Sequence, residues 1–537
     1  MRAPDVSAFL PPSAERIVFF GSEVGQTAEH FSRIHPGASF LAGAGKEDPL
    51  RGGADCILYT GEAAARLTAE ELRAHAAHLA EDGQVLLVAE NPGYVRRLMA
   101  TLSGAEWKGA EGRFPADVLR LAREAGLVAH SACPIFAEED EEERQRITTQ
   151  RLLAALAAWR KETGCREGSD PWAVRQVFRL SRKERMPLLL HSFLGESLVT
   201  ARPRILEPHA FLSTVPGVLC RNDLKEQSVL DRSIPRKILF WQRKVFGGIA
   251  DGLRSLRRIR ELGYLGIAEI DDNPSRWKER YEADHYLDFR GMHAVQVSTE
   301  PLAEILRQYN PEVRVFPNML RELPPRKEFR EDGTVTIFFG ALNREGEWKD
   351  ILPVLNALSR EYGEKLRFRV LADRLFFDKL ETKHKEYVGR DDFYEGRYVP
   401  YEVYLDTMRS ADISLLPLVD TEFNRTKSDL KFIESAANGA VVLASPTVYR
   451  KTVRDGETGF IYRSPQEFVG RLRLLIEHPE KRRAMAEAAY RYVAEERMLY
   501  QHYEERLDWY EELLARKDEL DLALDKRLAQ VEEEMKG

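Results

Sequence analysis

Cysteine is scarce: Cys56, Cys133, Cys165 and Cys220 stand far apart, with no CxxC pair and no histidine cluster beside them. That spacing excludes a disulfide framework and a structural zinc site, and it fits a reducing cytoplasm. No stretch reaches about 18 uninterrupted apolar residues, the length a membrane-crossing helix requires. The opening MRAPDVSAFLPPSAER also lacks the apolar run of a signal peptide. A cytoplasmic protein with at most peripheral membrane contact is expected. A basic excess is missing too: 80 lysines and arginines against 87 aspartates and glutamates leave a net charge of -7. Neither half is strongly basic, which argues against a nucleic-acid partner. What remains, 43% hydrophobic and 31% charged, is an ordinary soluble composition. At 537 residues the chain is too long for one core, and three or four domains are expected.

The hydrophobic pattern divides into three series of alternating strands and helices, the signature of parallel sheets covered by helices. RIVFFG, ASFLAG, ADCILYT and QVLLVAE are the strands of the first, which runs to about GLVAHSACPIF. The acidic run AEEDEEERQR that follows reads as a solvated linker. TTQRLLAALAAWRKE and DPWAVRQVFRLSRKE predict a helical connector over 138–195. KILFWQR, GIAEIDD, AVQVST and VRVFPN form the second series, with GGIADGLRSLRRIRELG as a helix and Thr299 capping another. Past the hinge PPRKEFREDG come TVTIFFG, LRFRVLAD, ADISLLPL, AVVLASP and TGFIYRS. The domains expected are 1–137, a connector 138–195, lobes 196–325 and 326–490, and a helical tail 491–537. Leucines at three- and four-residue steps make that tail amphipathic, able to dimerise the chain or to close back on the lobes.

Four segments carry chemistry. In KSDLKFIESAANGAVVLAS, Ser428 is the expected N-cap and Gly439 the stop of a helix on which Lys427, Lys431 and Glu434 share one face. On spacing alone this is a solvated face with a weak ion pair. Its place at the carboxyl end of a parallel strand, where open α/β sheets take ligands, instead makes it an anion site suited to a diphosphate. Glu434, two turns in, could then take a ribose or sugar diol. In IFFGALNREGEWKDI, the turn after Gly340 makes Asn343, Arg344 and Lys349 candidate phosphate ligands. Asp271 in AEIDDNPSRW fits a metal–diphosphate clamp, an acceptor-side carboxylate or a loop cap. His293, at a strand end, is a candidate general base against the commoner structural role of a lone histidine. The turn after RIVFFG retains only Gly21 and Gly25, with Glu23 between them where a cofactor backbone would have to approach.

Residues 200–490 resemble the GT-B nucleotide-sugar glycosyltransferases of the retaining branch, marked by two glutamates with seven residues between them. FFGALNREGEWKDI, YLDTMRSADISLLPL, FNRTKSDLKFIESAANGAVVLAS and VRDGETGFIYRS carry the likeness. The resemblance implies two Rossmann-like lobes facing across a cleft, with the C-terminal lobe holding a nucleotide diphosphate sugar and the N-terminal lobe presenting the acceptor. Glu434 matches the second glutamate, which holds the donor ribose. The first falls at Thr426, so Asn424 or backbone amides would replace it at the sugar. Ala341 stands where an arginine is common and Gly346 near where a lysine is, leaving Lys427, Lys431 and Arg344 to neutralise phosphate.

The first 130 residues are similar to class I S-adenosylmethionine methyltransferases through HPGASFLAGAG, ADCILYTGE, EDGQVLLVAENPG and LAREAGL. Glu23 replaces a motif glycine, and the acidic residue expected near Ala44 is missing, which implies a shell that does not bind the cofactor.

The function expected is therefore sugar transfer from a nucleotide diphosphate sugar to a protein or surface-glycan acceptor, with retention and without a required metal. Lys427, Lys431, Asp271 and His293 are the catalytic candidates. Gly340, Asn343, Arg344, Asn424, Ser428 and Glu434 are the donor-binding ones, and the helical segments offer a homodimer contact. The alternatives are a bifunctional methyltransferase, a nucleotide-sugar epimerase and an inactive binding scaffold.

Overall fold

In a computed structural model the described residues are 5–21, 24–43, 49–91, 112–113, 115–136, 173–195, 198–223, 230–341, 344–389 and 399–535. Glu23, Ala44, the acidic run, the first connector helix and Asn343 lie outside them. The chain divides into two compact units, Met1–Leu188 with Ala210–Leu219, and Leu189–His209 with Cys220–Gly537.

The first unit holds a sheet of six strands, β1 (Arg16–Phe20), β2 (Ser39–Ala42), β3 (Ala54–Tyr59), β4 (Leu79–Glu90), β5 (Val128–Phe136) and β6 (Ala173–Ser181). Their order is β2-β1-β3-β4-β6-β5, parallel except for β6, which runs antiparallel to both neighbours. β6 corrects the expected helix: AVRQVFRLS is a nearly buried strand. The polar positions that imitate a helix face are paired inside the sheet, Arg175 with Glu90 and Arg179 with Gln84. Leu188–Leu194, also within the expected connector, is a fully buried strand.

The second unit contains two sheets. One comprises β7 (Leu188–Leu194), β8 (Val218–Asp223), β9 (Arg236–Gln242), β10 (Leu265–Ile270), β11 (Ala294–Val297) and β12 (Val313–Val315), in the order β12-β11-β10-β9-β7-β8. β9 to β12 are parallel.

The other comprises β13 (Val335–Gly340), β14 (Leu366–Leu371), β15 (Lys385–Val388), β16 (Ile413–Leu416), β17 (Val441–Ala444) and β18 (Gly459–Ile461). It is wholly parallel in the order β15-β14-β13-β16-β17-β18, the doubly wound arrangement whose strand order reverses between β13 and β16. ISLL and VVLA are buried throughout because both faces are covered, and Ser414 meets the Ser435 hydroxyl. Ile337, Leu415 and Leu443 enter one core with Trp348 and Leu355. Leu416, Val442 and Ala444 enter the other with Phe432 and Ile433.

The tail closes back on the first lobe of this unit. Its last helix, Lys517–Glu534, pairs Asp525 with Arg260 at 2.6 Å and Glu534 with Arg290 at 2.6 Å, and Val531 enters the core of Leu256, Leu302 and Leu306. Leu520, Leu524 and Val531 are thus buried within the chain. Among the described residues no helix is long and apolar enough to cross a membrane.

Candidate functional site

Parallel strands deliver their carboxyl ends to one edge, and in the second unit those edges meet. Lys427, just before the helix Leu430–Ala437, places Nζ 3.4 Å from Oδ1 of Asp272, just past β10. Arg243, at the end of β9, donates to both aspartates, 3.0 Å to Asp271 and 2.8 Å to Asp272. It holds a left-handed backbone, φ 48°, which a non-glycine residue keeps only where its surroundings enforce it. Burial works to raise Asp272, yet Lys427, Arg243 and Arg276 hold it below its ordinary value. Burial, with Glu269 and Asp272 adding repulsion, pushes Asp271 up to about 6 against the pull of Arg243. Both carboxylates are thus taken by cations of the chain, and among the described residues no group of three or more His, Cys, Asp or Glu could hold a metal.

Across from them, Lys431 is the second residue of the helix and donates to the carbonyl of Gly340, 2.5 Å away at the end of β13. Burial first, then the positive charges of Arg344 and Lys427, push it down to about 7, against Glu434 and Glu347. Arg344 is fixed from behind: its N–H donates at 3.1 Å to Asp373, which also takes the Trp348 indole N–H and caps the helix Arg374–Lys379. The Arg344 guanidinium, 3.9 Å from Glu347, repels both Lys427 and Lys431, so three cations gather near one helix N-terminus. Lys349 is exposed past that turn.

Glu434 is 5% exposed, and its hydrogen-bond donors are tyrosines in place of the expected lysine. Its two oxygens accept from Tyr401, at 3.0 Å, and Tyr404, at 2.8 Å. Burial pushes it up to about 7 despite those donors and Lys431. Asn424 is buried, donating to Glu347 at 2.9 Å and to the Val419 carbonyl at 3.0 Å. Thr426 is buried and donates its hydroxyl to the Phe423 carbonyl, and its own carbonyl accepts from Thr299.

Three expectations are corrected. Lys427 precedes the helix instead of sharing its face, because the first helical residue is Leu430. Ser428 is not the cap: Asp429 holds that position, paired with Arg497 at 2.6 and 2.9 Å, while the Ser428 hydroxyl accepts from Asn318. His293 is not in this site. It precedes β11, at the amino edge of the sheet and roughly 17 Å or more from the aspartates by strand rise. Nδ1 there accepts the Gly266 N–H at 2.8 Å and Nε2 lies 3.0 Å from Asp521. Burial pushes it down to about 4.

Sequence reasoning missed the Gly247–Gly248 turn, which follows β9 and opens the helix Ile249–Glu261. Nothing lies within 4 Å of a Cβ at either glycine, and Gly248 has φ 123°. A strand, two glycines and a helix in succession were the available signal. Tyr401 and Tyr404 left no such signal, since only folding brings them to Glu434.

Residues 352–512 match the family model described as glycosyl transferase-like. Solved structures that the chain resembles include TarM of S. aureus, in complex with UDP, at 11% identity over 51% of this chain and 55% of that one, TM-score 0.38. Sucrose-phosphate synthase of Thermosynechococcus elongatus is similar at 12% identity over 62% and 100%, TM-score 0.43. HepE of Anabaena, in complex with UDP and glucose, is similar at 12% over 60% and 98%, TM-score 0.42. The chain spans about half the length of TarM, and likeness of this degree carries nothing about substrate. No curated protein matches the chain.

Proposed function

We propose that the second unit is a retaining GT-B glycosyltransferase that moves a sugar from a nucleotide diphosphate sugar to a protein or surface-glycan acceptor. The observation that carries this reading is the convergence of Arg344, Lys427 and Lys431 on the N-terminus of Leu430–Ala437. Burial first, and then the neighbouring cations, depress Lys431, and a bound diphosphate would offset their repulsion. Glu434 takes the ribose diol, and the Asp271 side offers the acceptor its carboxylates.

In the reaction the acceptor hydroxyl oxygen attacks the anomeric carbon as the bond to the diphosphate breaks. The hydroxyl proton passes to the departing phosphate oxygen on the same face, which gives retention without a protein nucleophile. Lys427, Lys431 and the helix N-terminus stabilise the charge that grows on the leaving group, and no metal is required for that role.

A thermal-shift screen over nucleoside diphosphates and their sugars tests the assignment, since a ligand that binds only the folded state raises its melting temperature. A screen in which none stabilises the protein overturns it.

The first unit we read as a Rossmann-like shell that does not methylate. Supporting this, the Phe20 ring stacks on Tyr59 and His75 at the ends of β1 and β3 and fills the space beside Gly43. Gly21 abuts Thr60, so its lack of a side chain serves packing. Calorimetry that finds micromolar S-adenosylmethionine binding overturns this part.

A further inference from the structure

A carboxylate that holds a ribose diol must present its free lone pairs in a fixed direction, and a glutamate has three rotatable bonds with which to lose it. Glu434 is fixed at both oxygens. Tyr404 donates to Oε2 at 2.8 Å and Tyr401 to Oε1 at 3.0 Å, two hydroxyls one helical turn apart on Tyr401–Arg409. Tyr401 is itself held: the Arg202 guanidinium lies 4.1 Å from its ring centroid, and Arg202 is anchored to Glu207 at 2.8 Å. The chain thus spends two tyrosines and an arginine on orienting one carboxylate.

We propose that Tyr401 and Tyr404 are positioning residues that aim Glu434 at the ribose hydroxyls of the donor nucleotide, and so set the preference for ribose over deoxyribose. This rests on the reading of Glu434 as the ribose-binding group. A carboxylate has about four acceptor sites, so two remain for the 2′- and 3′-hydroxyls after the tyrosines have taken theirs. Removing a tyrosine hydroxyl leaves the charge in place and frees its direction. Ribose recognition then weakens while phosphate recognition by Arg344, Lys427 and Lys431 persists.

The experiment is calorimetry with the tightest binder among uridine, adenosine and guanosine diphosphates, its 2′-deoxy counterpart and inorganic pyrophosphate. It compares the parent protein with Tyr401→Phe, Tyr404→Phe and the double variant. The parent should prefer the ribonucleotide by about tenfold, the value of one good polar contact. In the double variant that ratio should fall to about two, because only the ribonucleotide weakens, with pyrophosphate unchanged. Phenylalanine keeps the rings and the Arg202 stacking, and unchanged pyrophosphate binding certifies the fold. An undiminished ratio in the double variant overturns the positioning role alone. A parent that binds the ribo and deoxy forms equally, or binds no nucleotide, overturns the ribose reading and this inference with it.

Discussion

Lys427 Nζ lies 3.4 Å from Asp272 Oδ1, an ion pair between residues 155 positions apart that joins the carboxyl ends of two sheets. Each side chain is less than one-fifth exposed, so the pair is partly desolvated and each charge depends on the other. On the proposed reading of Lys427 as a phosphate ligand, a diphosphate competes with Asp272 for it.

Asp272→Asn should therefore lower the melting temperature of the free protein, since Arg243, Arg276 and Lys427 lose their shared anion. It should also enlarge the stabilisation that a bound nucleoside diphosphate confers. Fluorimetric melting with and without ligand measures both. A ligand-induced shift no larger than the parent's would mean that carboxylate and diphosphate do not share Lys427.

Lys431→Ala should reduce sugar transfer by about 100-fold or more, the usual effect of deleting one group that faces developing charge. Stability should change little, because a lysine that burial pushes down to about 7 is not a stabilising cation. Parallel turnover and melting measurements decide it, and full transfer by the variant would dismiss Lys431 as a diphosphate ligand.

Arg204 and Glu269 are both fully buried, 2.7 Å apart, and Arg204 also donates to the Phe316 carbonyl and the Asn318 side chain. Arg204→Met should cost about 3–5 kcal/mol because it strands a buried carboxylate. Adding Glu269→Gln should recover part of that loss. Thermal melting of the two variants is the check, and a double variant no better than the single one would contradict the account.

His293 gives the protein a defined acid sensitivity. Its folded value, about 4, lies below the ordinary 6.5, so the unfolded chain binds the proton first. Its contribution is fully present above about pH 6.5 and is lost as pH falls towards 4, up to roughly 3 kcal/mol. His209, which burial pushes down to about 3, acts in the same direction. His293→Gln should flatten the fall in melting temperature between pH 6.5 and 4. An unchanged slope would remove His293 from the acid response.

Much was legible before folding. Strands such as ISLL and VVLA are mostly apolar runs too short for helices and bounded by turn signals, so their type was readable. The cationic approach to the helix Leu430–Ala437 was readable as well. KSDLKFIESAANG follows an apolar strand, which places its lysines towards the carboxyl end of a parallel sheet. Reading failed where a polar residue's partner lay far along the chain. Arg175 and Arg179 imitate a helix face because the sequence does not reveal Glu90 and Gln84 waiting on β4. His293 looked catalytic because Asp521 lies 228 residues further on.

Local pattern by itself determined three α/β series, the helix at 430–437 and its cationic entrance, because periodicity and turn chemistry act over a few residues. Only the tertiary structure decided that Lys427 faces Asp272, that Glu434 is held by Tyr401 and Tyr404, and that the tail folds back onto the first lobe. Each of those is a pairing of charges or hydrogen bonds between distant segments. Whether a carboxylate meets a lysine or a tyrosine is set by how packed sheets and helices bring their ends together, which no local periodicity encodes.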